Sequence, residues 1–194
     1  MSIPTPFNPL GTLGTHGFQL PYALTGGLLD AVVIGKPYSY NKHQVVDNKM
    51  DAFEVAPILL QTQTAFVLTG YESVYCNVFV SDDTDCFTLT YIPNELSYSG
   101  LYFYNKKGNR REVHPSNPKF EKGDIYAVTN LLNIDEEVLV VHAGNEYVSY
   151  MHNYKNDSTN TVKFTNLQMV FFYDYVMTAT EMKEKTELIE NLQL

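Results

Sequence analysis

Histidine is the residue type in this chain best suited to acid–base or metal chemistry, and its spacing gives little support to either. The five histidines are His16, His43, His114, His142 and His152. No two have the spacing that places metal ligands on one helix, and no HExxH-type pattern occurs. His142 and His152 flank a turn at Gly144 and Asn145, so a hairpin could bring them together. Because no further residue completes a site, structural or surface roles are favoured.

The acidic segment 81–85, with sequence SDDTD, is the best candidate for a metal site. Asp82, Asp83 and Asp85 supply carboxylate oxygens, the hard ligands that calcium prefers. The segment lacks the spacing, the glycine and the distal glutamate of an EF-hand, and the alternative is a solvated acidic turn. We expect no cofactor, with calcium at these three aspartates as the exception to test.

Sequence motifs for catalysis are missing. The chain has no GxSxG, P-loop, GxGxxG or CxxC. Its other carboxylates are scattered along the predicted strands and loops, among them Glu54, Asp124, Asp135, Glu136 and Glu137. We therefore expect a protein that is not an enzyme. A hydrolase with dispersed carboxylates stays an alternative, because the separation of a glycosidase pair is a property of the folded chain.

The two cysteines, Cys76 and Cys86, flank the segment that contains the acidic loop. A hairpin there would place them on paired strands, within reach of each other. The alternative is that both thiols are reduced and buried. A reducing cytoplasm favours this alternative.

Tyrosine is abundant, with 15 residues against no tryptophan, and many tyrosines fall within predicted strands. Alternation in the segment 101–105 places Tyr102 and Tyr104 on one face of a strand and Leu101 and Phe103 on the other. Half-buried rings in a sheet explain this pattern, since tyrosine has high β propensity. An adhesive or sugar-stacking face is the alternative.

The charge of the chain argues against two classes of partner. A net charge of -9 and a pI near 4.9 repel nucleic-acid phosphates and anionic membrane surfaces. The basic cluster of Lys106, Lys107, Arg110 and Arg111 is interpreted as a solvated hairpin tip. The apolar run 26–35 is too short to cross a bilayer. With no secretory signal visible, we expect a soluble protein made in a host cytoplasm, without nucleic-acid or membrane partners.

Short apolar and β-branched runs separated by turn residues predict an antiparallel β-sandwich or barrel over residues 48–177. The turns contain Gly, Asn or Asp, as at Ala143, Gly144 and Asn145, and these residues suit tight hairpins. The predicted strands are 53–59, 64–69, 73–80, 86–92, 101–105, 110–113, 124–129, 137–142, 146–151, 160–165 and 168–176.

Residues 1–47 have a different composition and predict an extended arm. Five prolines and six glycines interrupt any helical or strand period, yet the segment is too apolar for a solvated tail. An extended apolar arm needs a surface to lie on. The residues expected to insert into a neighbouring subunit are Phe7, Leu10, Leu13, Phe18 and Tyr22.

The C-terminal region 178–194 predicts a short helix. Thr178 and Glu181 fit a capping box, and Glu181 and Lys185 form a supportive pair at four-residue spacing. Met182, Ile189 and Leu192 form a narrow apolar stripe that can dock on the β domain, on a partner or on a copy of itself. We assign these three residues to partner binding.

Two segments resemble parts of small virion structural proteins from tailed bacteriophages of the short-tailed kind. Residues 2–14, with sequence SIPTPFNPLGTLG, resemble the Pro/Gly-rich arms by which such proteins clamp onto capsid or tail neighbours. Residues 176–181, with sequence VMTATE, resemble a helix start found in portal and head-to-tail connector proteins. The length and the β-rich middle depart from a portal protein, so the virion part stays open between decoration protein, head fibre, collar and tail component.

The resemblance implies a non-enzymatic virion protein, anchored by its arm to other virion proteins and to copies of itself. The alternative is a carbohydrate- or receptor-binding β module that uses the tyrosine-rich strands, and the third possibility is the hydrolase.

Overall fold

The computed structural model of the chain describes residues 18–69, 75–76, 88–92, 100–104, 109–113, 123–133, 136–149, 151–153, 161–163 and 167–192. Within these residues the elements follow one another in the order α1 (Tyr22–Thr25), β1 (Leu28–Val33), β2 (Lys49–Asp51), α2 (Ala52–Leu59), β3 (Thr64–Thr69), β4 (Tyr75–Cys76), β5 (Thr88–Ile92), β6 (Gly100–Tyr104), β7 (Asn109–Val113), β8 (Ile125–Thr129), β9 (Val138–His142), β10 (Asn145–Ser149), β11 (Met151–Asn153), β12 (Thr161–Lys163), β13 (Leu167–Tyr173) and α3 (Ala179–Glu190).

The strands form antiparallel sheets, and the predicted fold class is confirmed: the protein is mainly β, with a short C-terminal helix. A six-stranded sheet has the order β1-β13-β3-β8-β9-β10, and a five-stranded sheet has the order β11-β7-β6-β5-β4. Strands β12 and β2 form a separate pair. Among the helices of the described residues, none combines the length and the apolar character that crossing a membrane requires.

The hairpin between β9 and β10 has a two-residue turn formed by Ala143 and Gly144. Ala143 and Gly144 both have positive φ, at 47° and 76°, and His142 pairs directly with Asn145. Positive φ at both central residues matches the right-handed twist of the flanking strands. The predicted turn at this position is confirmed.

The six-stranded sheet separates two hydrophobic clusters, because successive residues of a strand lie on opposite faces. One cluster contains Val67 and Val170 together with Val55 of α2. The other contains Phe66 and Phe171 together with the buried face of α3. The strands with both faces covered are apolar along their length, and β8 is buried at all five positions.

Residues 53–59 form most of helix α2, so the prediction of a strand there is wrong. Val55, Ile58 and Leu59 are buried, at the three- and four-residue spacing of one helix face. Pro57 lies inside the helix and removes one backbone donor without ending it. A short apolar run cannot be assigned by period alone, and here the packing surface decided.

The predicted arm is corrected over its described part, residues 18–47. Leu28–Val33 form β1, which pairs with β13 with a register shift between Leu28 and Asp30, and Leu24 is completely buried. These residues belong to the β domain because their apolar side chains complete the two clusters. Residues 1–17 lie outside the described residues.

Helix α3 starts at the predicted capping box. The Thr178 hydroxyl accepts a hydrogen bond from the Glu181 backbone N–H at 3.2 Å, and the Glu181 carboxylate accepts one from the Thr178 N–H at 2.7 Å. Two backbone donors of the first turn are thereby satisfied, which fixes the start of the helix.

Candidate functional site

Strand register divides the five-stranded sheet into two faces, because residues directly opposite in an antiparallel pair share a face. One row across β4, β5, β6 and β7 consists of Tyr75, Thr90, Tyr102 and Glu112. A second row across β5, β6, β7 and β11 consists of Thr88, Tyr104, Arg110 and His152. The two rows are two residues apart along each shared strand and therefore lie on the same face.

We call these eight residues the tyrosine face. The rows on the opposite face are Cys76, Leu89, Phe103, Arg111 and Met151, then Tyr91, Leu101 and Val113, and then Asn109 and Asn153, while Ile92 and Gly100 continue the face of the tyrosines. The register places Tyr102 and Tyr104 at positions on one face of β6 and Leu101 and Phe103 at positions on the other, which is the division that the alternation in the sequence predicts.

The residue types on the tyrosine face suit sugar binding. A tyrosine ring offers a flat apolar surface and a hydroxyl, so it can contact the C–H groups of a sugar ring and still hydrogen-bond. Threonine, arginine, glutamate and histidine supply donors and acceptors for sugar hydroxyls.

A second polar cluster lies at the edge of the other sheet. Asp30 of β1 is 0% exposed, and its Oδ2 is 2.7 Å from Nδ1 of His43. The Ser39 hydroxyl accepts a hydrogen bond from the His43 backbone N–H at 3.0 Å. Ser39 Oγ and Asp30 both approach Nδ1 of His43, so the three residues lack the relay of a catalytic triad, which uses both ring nitrogens.

The sequence contains one signal for this cluster. Asp30 interrupts the apolar run 26–35, and a charged residue within an otherwise buried strand is rarely left without partners. Its partner His43 could not be identified, because only the folded loop brings the two residues together.

His142 and His152 are not brought together. In the β9–β10 hairpin His142 pairs with Asn145, so each further residue along β10 increases the separation from His142. His152 lies beyond the end of β10, in β11, where it pairs with Arg110. The ring of His142 stacks on Tyr126, at 4.2 Å between centroids, and its Nε2 is 3.3 Å from Oδ2 of Asp124.

The residues predicted to bind a partner fall into three groups. Phe7, Leu10 and Leu13 lie outside the described residues. Phe18 is buried and its ring packs edge-on against Tyr40, with 6.1 Å between centroids, so it contacts the chain itself. Tyr22 is 93% exposed and is available to a partner.

The stripe of α3 docks on the β domain. Met182 and Ile189 are buried in the cluster that contains Phe66 and Phe171, and Leu192 packs against the same cluster. The assignment of Met182 and Ile189 to partner binding is therefore corrected, because their apolar surface is already covered by the chain's own sheet.

The candidate calcium loop, with Asp82, Asp83 and Asp85, lies outside the described residues, and so does Cys86. Elsewhere, in the part of the chain that the structure describes, no three His, Cys, Asp or Glu residues come together as a metal site.

Perturbed ionisable groups cluster between α1 and α3. The buried Tyr173 hydroxyl donates a hydrogen bond to the Leu24 carbonyl at 2.8 Å, and burial raises the pKa of Tyr173. Lys185 lies 5.0 Å from the centre of that ring and donates to the Ala23 carbonyl at 2.7 Å. Burial lowers the pKa of Lys185, and Glu181 opposes this. The bond of Lys185 therefore joins α3 to α1, and the bond of Tyr173 joins β13 to α1.

No protein-family model and no curated protein matches this chain. Among solved structures it is similar to the Ruminococcus gnavus IT-sialidase CBM40, at 9% identity and a TM-score of 0.38, over 82% of this chain and 97% of that one. The same module bound to alpha2,6 sialyllactose gives 8% identity and a TM-score of 0.36 over the same shares.

A leech intramolecular trans-sialidase complexed with 2,7-anhydro-Neu5Ac is similar at 9% identity and a TM-score of 0.36, over 82% of this chain and 27% of that one. TM-scores this low do not establish a shared fold, so the proposals below depend on the register and the contacts described above.

Proposed function

We propose that this chain is a non-catalytic carbohydrate-binding β module that binds sugars on the tyrosine face. The observation that carries the proposal is the register of the five-stranded sheet, which aligns Tyr75, Tyr102 and Tyr104 with polar residues on one face. Aromatic rings spaced along a flat sheet suit the repeating apolar faces of an oligosaccharide.

Binding without hydrolysis is favoured by the carboxylates of this face. Glycoside hydrolysis by the usual route needs two carboxylates on either side of the scissile bond. Among the eight residues that define the tyrosine face, Glu112 is the one carboxylate. A single carboxylate is sufficient for hydrogen bonding to sugar hydroxyls and insufficient for that reaction.

A glycan array with immobilised oligosaccharides tests the proposal. We expect the full-length chain to bind a subset of glycans, and Tyr102→Ala and Tyr104→Ala each to weaken that binding by about tenfold, corresponding to about 1.4 kcal/mol. Tyr22→Ala is the matched control, since it removes an exposed tyrosine away from this face. Absence of binding to any glycan, or an equal loss in the Tyr22→Ala variant, would contradict the proposal.

The virion role is a separate proposal, based on the resemblance at residues 2–14 and 176–181. The second segment also has a purely local explanation, because Thr178 and Glu181 form the cap of α3. Mass spectrometry of purified virions tests this role. Finding the chain outside any particle, encoded within a host metabolic operon, would contradict it.

A further inference from the structure

Strand β1 is an edge strand whose outward backbone groups are occupied by the chain's own loop. In the six-stranded sheet β1 has one neighbour, β13. On its other side, the Ala31 carbonyl accepts a hydrogen bond from the Tyr40 N–H at 2.8 Å, and the Val33 carbonyl accepts one from the Lys36 N–H at 3.2 Å. The Asn41 side chain donates to the Leu29 carbonyl. We call residues 36–46 the cover loop.

The Asp30 carboxylate joins the strand to the cover loop. Its Oδ1 accepts hydrogen bonds from the Ala31 N–H at 2.8 Å and from the Asn41 N–H at 2.9 Å. Its Oδ2 is 2.7 Å from Nδ1 of His43. Three donors therefore compensate the desolvation of this carboxylate, two of them from the cover loop, and loss of the loop contacts would leave it poorly satisfied.

The cover loop is itself ordered by internal backbone bonds. The Ser39 N–H donates to the His43 carbonyl at 3.0 Å, and the Val45 N–H donates to the Pro37 carbonyl at 2.8 Å. Val45 is buried against the cluster that contains Val32. The loop thus acts as a preformed lid over the strand edge, fixed at one end by Val45 and at its middle by Asp30.

An uncovered β1 would be a strong template for strand pairing. Its sequence, LLDAVV, is apolar apart from Asp30 and ends with the β-branched Val32 and Val33, and unpaired apolar edges pair readily with another strand. Exposed edge carbonyls at Leu29, Ala31 and Val33 would be available at the same time. An identical strand can satisfy them antiparallel about a two-fold axis, with the same surface used by both chains.

We propose that Asp30 is a clasp that keeps the cover loop closed over β1, and that opening the clasp lets β1 pair with β1 of a second copy of this chain. The device is a conformational switch between a sealed edge and a self-associating edge. It does not depend on sugar binding, since β1 and the tyrosine face belong to different sheets.

Loop variants of the full-length chain test the proposal without altering the core. Asn41→Ala removes the donor to the Leu29 carbonyl, and His43→Ala removes the donor to Asp30 Oδ2. Gln44→Ala is the matched control, because Gln44 is exposed in the same loop. The measurements are amide hydrogen exchange at Ala31 and molar mass by light scattering across a concentration series.

We expect the Asn41→Ala/His43→Ala variant to exchange the Ala31 amide about tenfold faster than wild type in dilute solution. As concentration increases, the molar mass of this variant should rise toward twice its value in dilute solution. Protection of the Ala31 amide from exchange should return over the same range of concentration. Gln44→Ala should behave as wild type in both measurements.

If the Ala31 amide of the double variant exchanges at the wild-type rate, the proposal that Asp30 holds the cover loop closed is wrong. If the Ala31 amide exchanges faster but the molar mass does not change with concentration, the proposal that β1 pairs with a second copy is wrong. If circular dichroism shows that the double variant has lost its fold, His43→Ala alone decides, because it removes one donor to the Asp30 carboxylate and keeps the Asn41 side chain on the Leu29 carbonyl.

Discussion

Single side chains on α3 show how much of this fold depends on local hydrogen bonds. Thr178 and Glu181 each satisfy a backbone donor of the other residue at the start of the helix. Because these bonds connect residues three apart, they need no tertiary contact to form.

Replacing Thr178 with alanine should lower the free energy of unfolding by about 1 kcal/mol, since the Glu181 N–H loses its acceptor. Chemical denaturation with circular dichroism measures this loss. Thr180→Ala is the control, an exposed residue inside the helix for which we expect no loss. An equal effect of both substitutions would show that the cap contributes nothing specific.

The pKa of Glu181 is lowered from its ordinary value of 4.5, mainly by the hydrogen bond from the Thr178 backbone. A carboxyl group whose pKa is lower in the folded state adds stability above its unfolded pKa and loses it as the pH falls through the folded pKa. We expect the stability advantage of wild type over Glu181→Gln to shrink as the pH falls from neutral to below 4.5. Denaturant titrations of both proteins across this range measure it, and a constant difference would contradict the assignment.

Replacing Tyr173 with phenylalanine should cost about 1 kcal/mol, because the buried Leu24 carbonyl loses its donor. The pKa of Tyr173 is raised above 10.0, mainly by burial, so the folded state holds this proton more tightly than the unfolded state. Stability from this group is complete below pH 10.0 and is lost as the pH rises further.

Tyr173→Phe should therefore show a shallower loss of stability in alkaline solution than wild type. Tyr22→Phe is the control, since its exposed ring should leave both measurements unchanged. If Tyr173→Phe loses stability with rising pH in the same way as wild type, a group other than Tyr173 causes the alkaline loss of stability.

Among the elements, the β9–β10 hairpin combines a favourable turn with one unfavourable residue. Ala143 adopts φ of 47°, a left-handed conformation that costs a residue with a Cβ roughly 1–2 kcal/mol. The following Gly144 adopts φ of 76° without this cost.

Ala143→Gly should therefore raise the free energy of unfolding by about 0.5–1 kcal/mol, after the greater flexibility of glycine in the unfolded chain is subtracted. Thermal and denaturant unfolding measure the gain. Ala179→Gly in α3 is the matched control and should lower stability, because a helical position gains nothing from glycine. A loss in both variants would contradict the strained turn.

At the scale of the whole molecule, the N-terminal residues complete the core of a sheet formed largely by later strands. Leu24 and Phe18 are buried in the same cluster as Phe171 and Met182. The segment around α1 is also fixed by the hydrogen bond from Lys185 to the Ala23 carbonyl.

Deleting residues 2–25 should destabilise the β domain by at least about 4 kcal/mol, since burying a Leu or Phe side chain stabilises by roughly 2–5 kcal/mol each. Deleting residues 2–17 is the comparison, because it keeps Phe18 and Leu24, and we expect the longer truncation to melt at the lower temperature of the two. Calorimetry of both truncations distinguishes them. If the longer truncation melted at the temperature of the full chain, the core role of Phe18 and Leu24 would be wrong.

Features that depend on neighbours in the chain can be predicted from the amino-acid sequence. The alternation in β6, the Ala143–Gly144 turn and the Thr178 cap all follow from residues a few positions apart, and the sequence predicts each of them close to its observed place. The mainly antiparallel fold followed from many such local signals taken together.

The surfaces that each element covers, and the segments with which it pairs, are known only from the folded chain. Residues 53–59 became a helix because one helical face could bury Val55 and Ile58, and residues 28–33 became a strand because β13 was available to pair with them. The buried Asp30 and the half-buried His43 lie together because the cover loop folds back on β1. These outcomes depend on hydrogen bonds and apolar contacts between segments far apart in the chain, which composition and period do not encode.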